Sequence, residues 1–145
     1  MSKVLSAVII NKPIEEVFDY AASPVNGPAF IPNLNENTNI YPDTVGVGQT
    51  FDYRFNMVGV DLRGKAEVTE FERPNKVKIN STGDSVSSWL YTFEKEGEGT
   101  KVTVELEYEF SETAWKRLAS KTIVDKLAQK ICEQMTESLK IILES

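Results

Sequence analysis

Residues 89–110, WLYTFEKEGEGTKVTVELEYEF, contain two runs in which apolar and polar side chains alternate. The apolar positions are Trp89, Tyr91, Phe93, Val102, Val104, Leu106, Tyr108 and Phe110. Between the two runs lies Gly97-Glu98-Gly99, a composition typical of a tight turn. A period of two places apolar side chains on one face of a strand and polar ones on the other. We therefore predict an antiparallel hairpin with one buried and one solvated face.

The same alternation extends upstream, from Thr38 onward, and predicts further antiparallel strands. The apolar phase slips between Val68 and Phe71, which predicts a β-bulge near Thr69 and Glu70. A hairpin turn is expected between the first two of these upstream rows. The predicted rows are 51–55, 60–68 and 77–79, and the predicted turn is 56–59.

Downstream of the hairpin, residues 111–145 contain no glycine or proline. This segment predicts a long amphipathic helix that begins between Ser111 and Ser120. Charged residues, among them Asp125, occupy the face that we place towards solvent. The apolar face, at 3.6 residues per turn, is formed by Val124, Leu127, Ala128, Ile131, Met135, Leu139 and Ile142.

The N-terminal segment predicts one strand followed by two short helices. Residues 4–10 are apolar on both alternating faces, as in a strand that is covered on both sides or lies near an edge. Pro13 suits the first turn of a helix, and Ser23-Pro24 is a second cap-and-proline start. Pro28 and Pro32 confine that second helix to one or two turns.

These elements predict an α+β fold in a single domain, residues 1–145. About seven strands form a curved antiparallel sheet wrapped around the long C-terminal helix, with two short helices after the first strand. The sheet must bury its apolar face, and the helix carries the only long apolar stripe. A twisted sheet covers the centre of a helix better than its ends, so we expect room for a ligand there.

The composition excludes several classes of function. Sixteen Lys and Arg against 22 Asp and Glu give a formal net charge of -6, which disfavours nucleic-acid binding. Because histidine is absent, the chain has neither a serine-type catalytic triad nor an imidazole metal ligand. The single cysteine, Cys132, forms no internal disulfide or thiolate zinc site, and we interpret it as a small buried hydrophobe. We predict no metal, no cofactor and no catalytic residue.

Targeting signals are also missing from the sequence. The short apolar run at 4–10 has no small-residue cleavage site, and no stretch approaches the roughly 18 apolar residues of a membrane span. We therefore expect a cytoplasmic protein without a membrane span.

The whole chain resembles the START-like or Bet v 1-like (SRPBCC) superfamily, and within it the polyketide cyclase/dehydrase and lipid-transport group. The matching segments, in chain order, are 10–20, 46–51, 89–93, 99–104 and 138–144. The resemblance implies the helix-grip fold with a hydrophobic cavity between sheet and helix. It does not imply one chemistry, because members include lipid carriers, cyclases, hormone receptors and chaperone activators.

The apolar rows are the candidate wall of this cavity. Three of their members are tyrosines, whose buried hydroxyls need hydrogen-bond partners. Carboxylates such as Asp52, Asp61 and Glu105, and the guanidinium groups of Arg54 and Arg63, fall in the solvent-facing rows. The candidate ligand-binding residues are Phe30, Phe51, Tyr53, Phe55, Leu62, Ile79, Trp89, Tyr91, Leu106, Tyr108, Ile131 and Met135.

Three functions follow from these residues. The first is binding or transport of a small hydrophobic molecule, such as a lipid, an isoprenoid or an aromatic polyketide-like compound. The second is a cyclase or dehydratase that uses tyrosine hydroxyls as acids or bases, for which a carboxylate or arginine bonded to a tyrosine inside the cavity would be the sign. The third is a protein-interaction module, whose partner the sequence does not identify.

Overall fold

The computed structural model describes residues 1–118 and 120–145. The helices and strands follow in the predicted order. They are β1 (Ser2–Ile10), α1 (Ile14–Ala22), a 3-10 turn (Pro24–Asn26), α2 (Gly27–Phe30), β2 (Leu34–Tyr41), β3 (Thr50–Met57), β4 (Val60–Glu72), β5 (Lys76–Gly83), β6 (Ser85–Glu96), β7 (Gly99–Phe110), α3 (Glu112–Arg117) and α4 (Lys121–Glu144).

The strands form one seven-stranded antiparallel sheet in the order β1-β7-β6-β5-β4-β3-β2. In the predicted β6–β7 hairpin, Trp89 lies opposite Leu106 and Phe93 opposite Val102, so the apolar rows share a face. The register of β4 against β5 shifts between Val68 and Glu70, which confirms the predicted bulge. The α+β prediction, with about seven strands and a long C-terminal helix, is confirmed.

The helical segment after β7 is divided in two. Ser111 is the N-cap of α3, and Ser120 is the N-cap of α4. Each serine hydroxyl accepts a hydrogen bond from the backbone N–H three residues on, at 3.1 and 3.2 Å. Such serine N-caps satisfy amide groups that the first turn of a helix leaves unpaired. The helix predicted to begin between these two serines is therefore α4, with α3 as a separate short helix before it.

The core lies between the concave face of the sheet and the apolar face of α4. Val124, Met135 and Leu139 of α4 are fully buried there. At the other end of the sheet, α1 inserts Phe18, whose ring centroid lies 5.0 Å from that of Phe93 in an edge-to-face contact. None of the helices in the described residues is long and apolar enough to cross a membrane.

Side chains of α4 satisfy the free backbone edge of β1, which pairs only with β7. The Gln129 side-chain amide donates to the carbonyl of Leu5 at 3.0 Å, and the Lys140 ammonium donates to the carbonyl of Ile9 at 2.8 Å. An unpaired strand edge otherwise invites pairing with another chain. These two bonds also set the position of α4 along the sheet, and hence the position of the cavity described next.

Candidate functional site

A cavity of about 110 Å³ lies between the sheet, the 3-10 turn with α2, and the middle of α4. Every predicted ligand-binding residue except Met135 lines it. Those residues are Phe30, Phe51, Tyr53, Phe55, Leu62, Ile79, Trp89, Tyr91, Leu106, Tyr108 and Ile131. The structure therefore brings these side chains together around one space, and their contact with a ligand stays a prediction.

Met135 does not belong to the wall. Its side chain is fully buried in the core, but it is not among the residues that line the cavity. Met135 lies one helical turn beyond Ile131, the last residue of α4 that faces the cavity. Helical periodicity identifies the buried face of a helix and not the part of that face that packs against a void, so contact of Met135 with a ligand stays a prediction.

Several wall residues were not predicted. Some come from the helical segments between β1 and β2, where Ala22 of α1, Pro24 of the 3-10 turn and Gly27 of α2 line the cavity. Others are small or polar residues of the strands, notably Ser81 and Ser87. A signal for these serines does exist, because each continues a predicted row in the same phase, two residues beyond Ile79 or before Trp89.

The wall contains no charged side chain among the described residues. It does include a group of neutral polar side chains that we call the serine cluster: Ser81, Ser85 and Ser87 together with Tyr53 and Trp89. The Ser81 and Ser87 hydroxyls are hydrogen-bonded to each other, and Ser81 also donates to the backbone carbonyl of Ser85 at 3.2 Å. The indole N–H of Trp89 donates to the Ser87 hydroxyl at 2.9 Å. Ser81 and Ser87 are 6% and 5% exposed, so this polar group lies inside the protein.

Tyr53 lies on β3, and its side chain extends across β4 to the rest of the serine cluster. Its hydroxyl donates to the carbonyl of Thr82 at 3.0 Å and accepts from the backbone N–H of Ser85 at 3.3 Å. The ring lies over Gly64, which is opposite Tyr53 on β4, because glycine has no side chain to occupy that space. Burial raises the pKa of the Tyr53 hydroxyl, so it remains a neutral phenol at physiological pH.

Tyr91 is the most enclosed tyrosine of the wall, at 2% exposure. Burial raises the pKa of its hydroxyl, and the nearby Cys132 adds to the shift. A phenol with a raised pKa is a poor base near neutral pH, although it can still donate a hydrogen bond. The Tyr91 hydroxyl is therefore a hydrogen-bond donor rather than a base near neutral pH.

The third tyrosine, Tyr108, directs its hydroxyl away from the cavity. It donates a hydrogen bond to the carboxylate of Asp125 on α4, which also pairs with the Lys121 ammonium at 2.6 Å. Asp125 lies on the predicted polar face of α4 and is partly exposed, and its carboxylate also connects α4 to β7. Burial alone would raise the pKa of Asp125, but the hydrogen bonds from Lys121, Tyr108 and Ser2 outweigh it and lower the pKa.

The charged residues of the strands lie outside the cavity, as predicted. Arg63 pairs with Asp61 at 2.8 Å, and the Asp61 carboxylate lies 3.6 Å from the Arg54 guanidinium across the β3–β4 pair. Lys3 pairs with Glu105 at 2.7 Å across β1 and β7. The Arg54–Asp61 and Lys3–Glu105 pairs cross between neighbouring strands, whereas Arg63 and Asp61 both belong to β4. The wall thus combines a largely apolar surface with neutral hydroxyl, indole and amide groups.

Comparison with known families identifies this architecture. A sequence model of the family described as polyketide cyclase / dehydrase and lipid transport matches residues 1–144. The chain belongs to this family. Membership in the polyketide cyclase / dehydrase and lipid transport family confirms the resemblance noted in the sequence. Comparison with curated protein sequences gives no significant match.

Solved structures of low sequence identity share the fold of this family member. TTHA0849 from Thermus thermophilus is 22% identical, aligned over 99% of both chains with a TM-score of 0.81. A START superfamily protein from Mycobacterium smegmatis is 16% identical over 98% of this chain and 97% of its own, with a TM-score of 0.78. The di-domain ARO/CYC StfQ from the steffimycin biosynthetic pathway is 10% identical over 98% of this chain and 50% of its own, with a TM-score of 0.76. At these identities the likeness establishes the START-like, helix-grip fold.

Proposed function

We propose that this protein binds and carries a small, uncharged hydrophobic molecule in the cavity between sheet and helix. The observation that supports this proposal is the composition of the wall, which consists of apolar, aromatic and neutral polar side chains without any Asp, Glu, Lys or Arg among the described residues. Ligand pockets are typically apolar with a few convergent polar groups. A charged ligand would be unfavourable in such a site, because a buried charge needs a partner of opposite sign.

The size of the cavity narrows the class of ligand. Its volume of about 110 Å³ is of the same order as an apolar cavity of ~150 Å³ that accommodates benzene. A monocyclic compound, or one short segment of a longer lipid or polyketide-like molecule, suits this space.

The alternative, a cyclase or dehydratase, has support from the family description and from the likeness to an ARO/CYC protein. The contact that would favour catalysis is a carboxylate or arginine bonded to a tyrosine inside the cavity. The one tyrosine–carboxylate pair of the wall residues, Tyr108 with Asp125, has its carboxylate outside the wall. The geometry therefore favours ligand binding as the proposed function.

The direct test is the binding of toluene, a monocyclic and wholly apolar probe, followed by 15N NMR. Ala128 lines the cavity from α4 and is 3% exposed, so Ala128→Leu adds three carbon atoms to the cavity. We expect this variant to bind toluene at least about tenfold more weakly, since overpacking costs about 1–3 kcal/mol. Gln134→Leu, at an exposed position of the same helix, is the matched control and should bind toluene as the wild type does.

Native mass spectrometry of the gently purified wild-type protein, followed by solvent extraction, complements this titration by detecting any retained molecule. Saturable binding of toluene that Ala128→Leu weakens and Gln134→Leu leaves unchanged supports the proposal. Absence of toluene binding together with absence of any retained hydrophobic molecule contradicts it. Equal toluene affinity in both variants would also contradict it, because the probe would then bind elsewhere.

A further inference from the structure

The serine cluster holds more hydrogen-bonding capacity than its own contacts use. Ser81 has one hydroxyl proton but two acceptors within reach, the Ser85 carbonyl at 3.2 Å and the Ser87 hydroxyl. A hydroxyl donates one hydrogen bond and accepts up to two. The cluster therefore has two internally consistent arrangements of protons, which present different groups to the cavity.

In the first arrangement, Ser81 donates to the Ser85 carbonyl and Ser87 donates to Ser81. Trp89 donates to Ser87, so every proton is used, and Ser81 and Ser87 each retain one free lone pair. This arrangement accepts a hydrogen bond from a ligand hydroxyl.

In the second arrangement, Ser81 donates to Ser87, which then accepts from both Ser81 and Trp89. The Ser85 carbonyl then depends on the Tyr53 hydroxyl, whose one proton is shared between the carbonyls of Thr82 at 3.0 Å and Ser85 at 3.3 Å. The Ser87 proton is now free, and it can be donated to a carbonyl or hydroxyl oxygen of a ligand. One cluster can thus serve either a donor or an acceptor without any movement of heavy atoms.

The surroundings of the serine cluster favour a ligand whose polar group is neutral. Ser81 and Ser87 are more than nine-tenths buried, and no charged side chain of the described residues lines the cavity. A carboxylate placed there would lose its hydration without gaining a counter-charge. A hydroxyl or a carbonyl would instead exchange hydrogen bonds with water for hydrogen bonds with the cluster.

We propose that the serine cluster binds a single neutral oxygen function, a hydroxyl or a ketone or aldehyde carbonyl, of an otherwise apolar ligand, and that it selects against the corresponding carboxylate. This inference rests on the proposed function, because it needs a ligand in the same cavity. It adds the chemical class of that ligand: a small alcohol or carbonyl compound rather than a hydrocarbon or an acid.

The test compares toluene, benzyl alcohol and benzoate, which share one ring and differ in the polar group. Their dissociation constants are measured at pH 8 by NMR titration for the wild type and for Ser87→Ala/Trp89→Phe. This double variant removes the Ser87 hydroxyl and the indole donor together, while Ser81 keeps the Ser85 carbonyl as its acceptor. Ser88→Ala, the next residue on β6 and outside the wall, is the matched control.

In the wild type we expect benzoate to bind at least about a hundredfold more weakly than benzyl alcohol, since a buried unpaired charge costs several kcal/mol. The affinity of benzyl alcohol relative to toluene should fall about tenfold in the double variant, as expected for the loss of one or two buried hydrogen bonds. Ser88→Ala should leave that ratio unchanged.

A measurement on the wild type alone gives an independent readout. With the alcohol group held by the cluster, the methylene protons of benzyl alcohol lie close to the Trp89 indole, and intermolecular NOEs between them are expected. NOEs to this indole from the ring protons only would contradict the proposed orientation, whether or not the double variant folds.

The outcomes separate the two proposals. If toluene binds but the benzyl alcohol to toluene ratio is the same in the wild type and the double variant, the inference about the serine cluster is wrong and the proposed function stands. Benzoate that binds as tightly as benzyl alcohol likewise overturns the inference alone. If toluene and benzyl alcohol both fail to bind the wild type and the purified protein retains no hydrophobic molecule, both proposals are wrong.

Discussion

Gly64 is the position at which we expect a single methyl group to be most disruptive to the cavity wall. It lies in β4, opposite Tyr53 of β3 and Gly83 of β5. A Cβ atom at Gly64 would overlap the backbone carbonyl oxygen of Thr82, and it would lie 2.6 Å from the Tyr53 hydroxyl oxygen and 2.7 Å from its ring. Gly64→Ala therefore introduces a clash with a backbone atom and with a wall residue at once.

The expected cost follows from what each neighbour can do. The Tyr53 ring can rotate away only by giving up its hydrogen bonds to Thr82 and Ser85. The Thr82 carbonyl is part of β5, so it can move only if the β4–β5 pair separates locally. Overpacking typically costs about 1–3 kcal/mol, and we expect about 3 kcal/mol here because the backbone itself must shift. For a chain of this length, that lowers Tm by roughly 6–12 °C.

The assay is thermal and urea unfolding of Gly64→Ala beside Gly46→Ala. No atom lies within 4 Å of the position that a methyl group on Gly46 would take, and the φ of Gly46 lies outside the left-handed region. At such a site alanine leaves stability unchanged or raises it by about 0.4–1 kcal/mol, because it restricts the unfolded chain. Gly64→Ala should also weaken benzyl alcohol binding, since it displaces Tyr53.

The reasoning is refuted if Gly64→Ala unfolds within about 0.5 kcal/mol of the wild type, the range of an ordinary surface substitution. An equal loss of stability in Gly46→Ala would refute it too. In that case the cost would come from replacing any glycine of the chain and not from the close approach of Tyr53 and Thr82.

Two further predictions concern buried and half-buried titratable groups. The pKa of Asp125 is lowered from 3.8, so its ionised form stabilises the fold above about pH 4, and this stabilisation is lost as the pH falls through the lowered pKa. The Tm difference between the wild type and Asp125→Asn should therefore be larger at pH 7 than at pH 2.5, and a difference independent of pH would contradict this. Burial raises the pKa of the Cys132 thiol to about 11, and the side chain is fully enclosed. A disulfide reagent at pH 8 should label the native protein at least about a hundredfold more slowly than the unfolded protein, and comparable rates would show that this part of the core opens readily.

Much of the fold was predictable because it depends on local patterns. Alternating rows such as Trp89-Tyr91-Phe93 specify both a strand and the face that it buries, and a one-residue slip would expose the whole row. The same reasoning identified eleven of the residues that line the cavity, since the buried rows of a curved sheet converge on its concave side. It did not separate Met135, which lies in the filled core, from the residues that face the void, because periodicity alone does not distinguish the two.

The sequence by itself determined the order of the elements, the apolar faces of the strands and of α4, and an interior without histidine. The order and the apolar faces follow from backbone geometry, which acts within a few residues, and the uncharged interior follows from the cost of burying charge. Only the tertiary structure decided that Ser81 and Ser87 meet beside Trp89, that Tyr53 crosses Gly64 to reach Thr82, and that Tyr108 turns to Asp125. Hydrogen bonds such as the Tyr53–Thr82 and Tyr108–Asp125 pairs join residues far apart in the sequence. Their existence depends on the twist of the sheet and the position of α4, which no local pattern encodes.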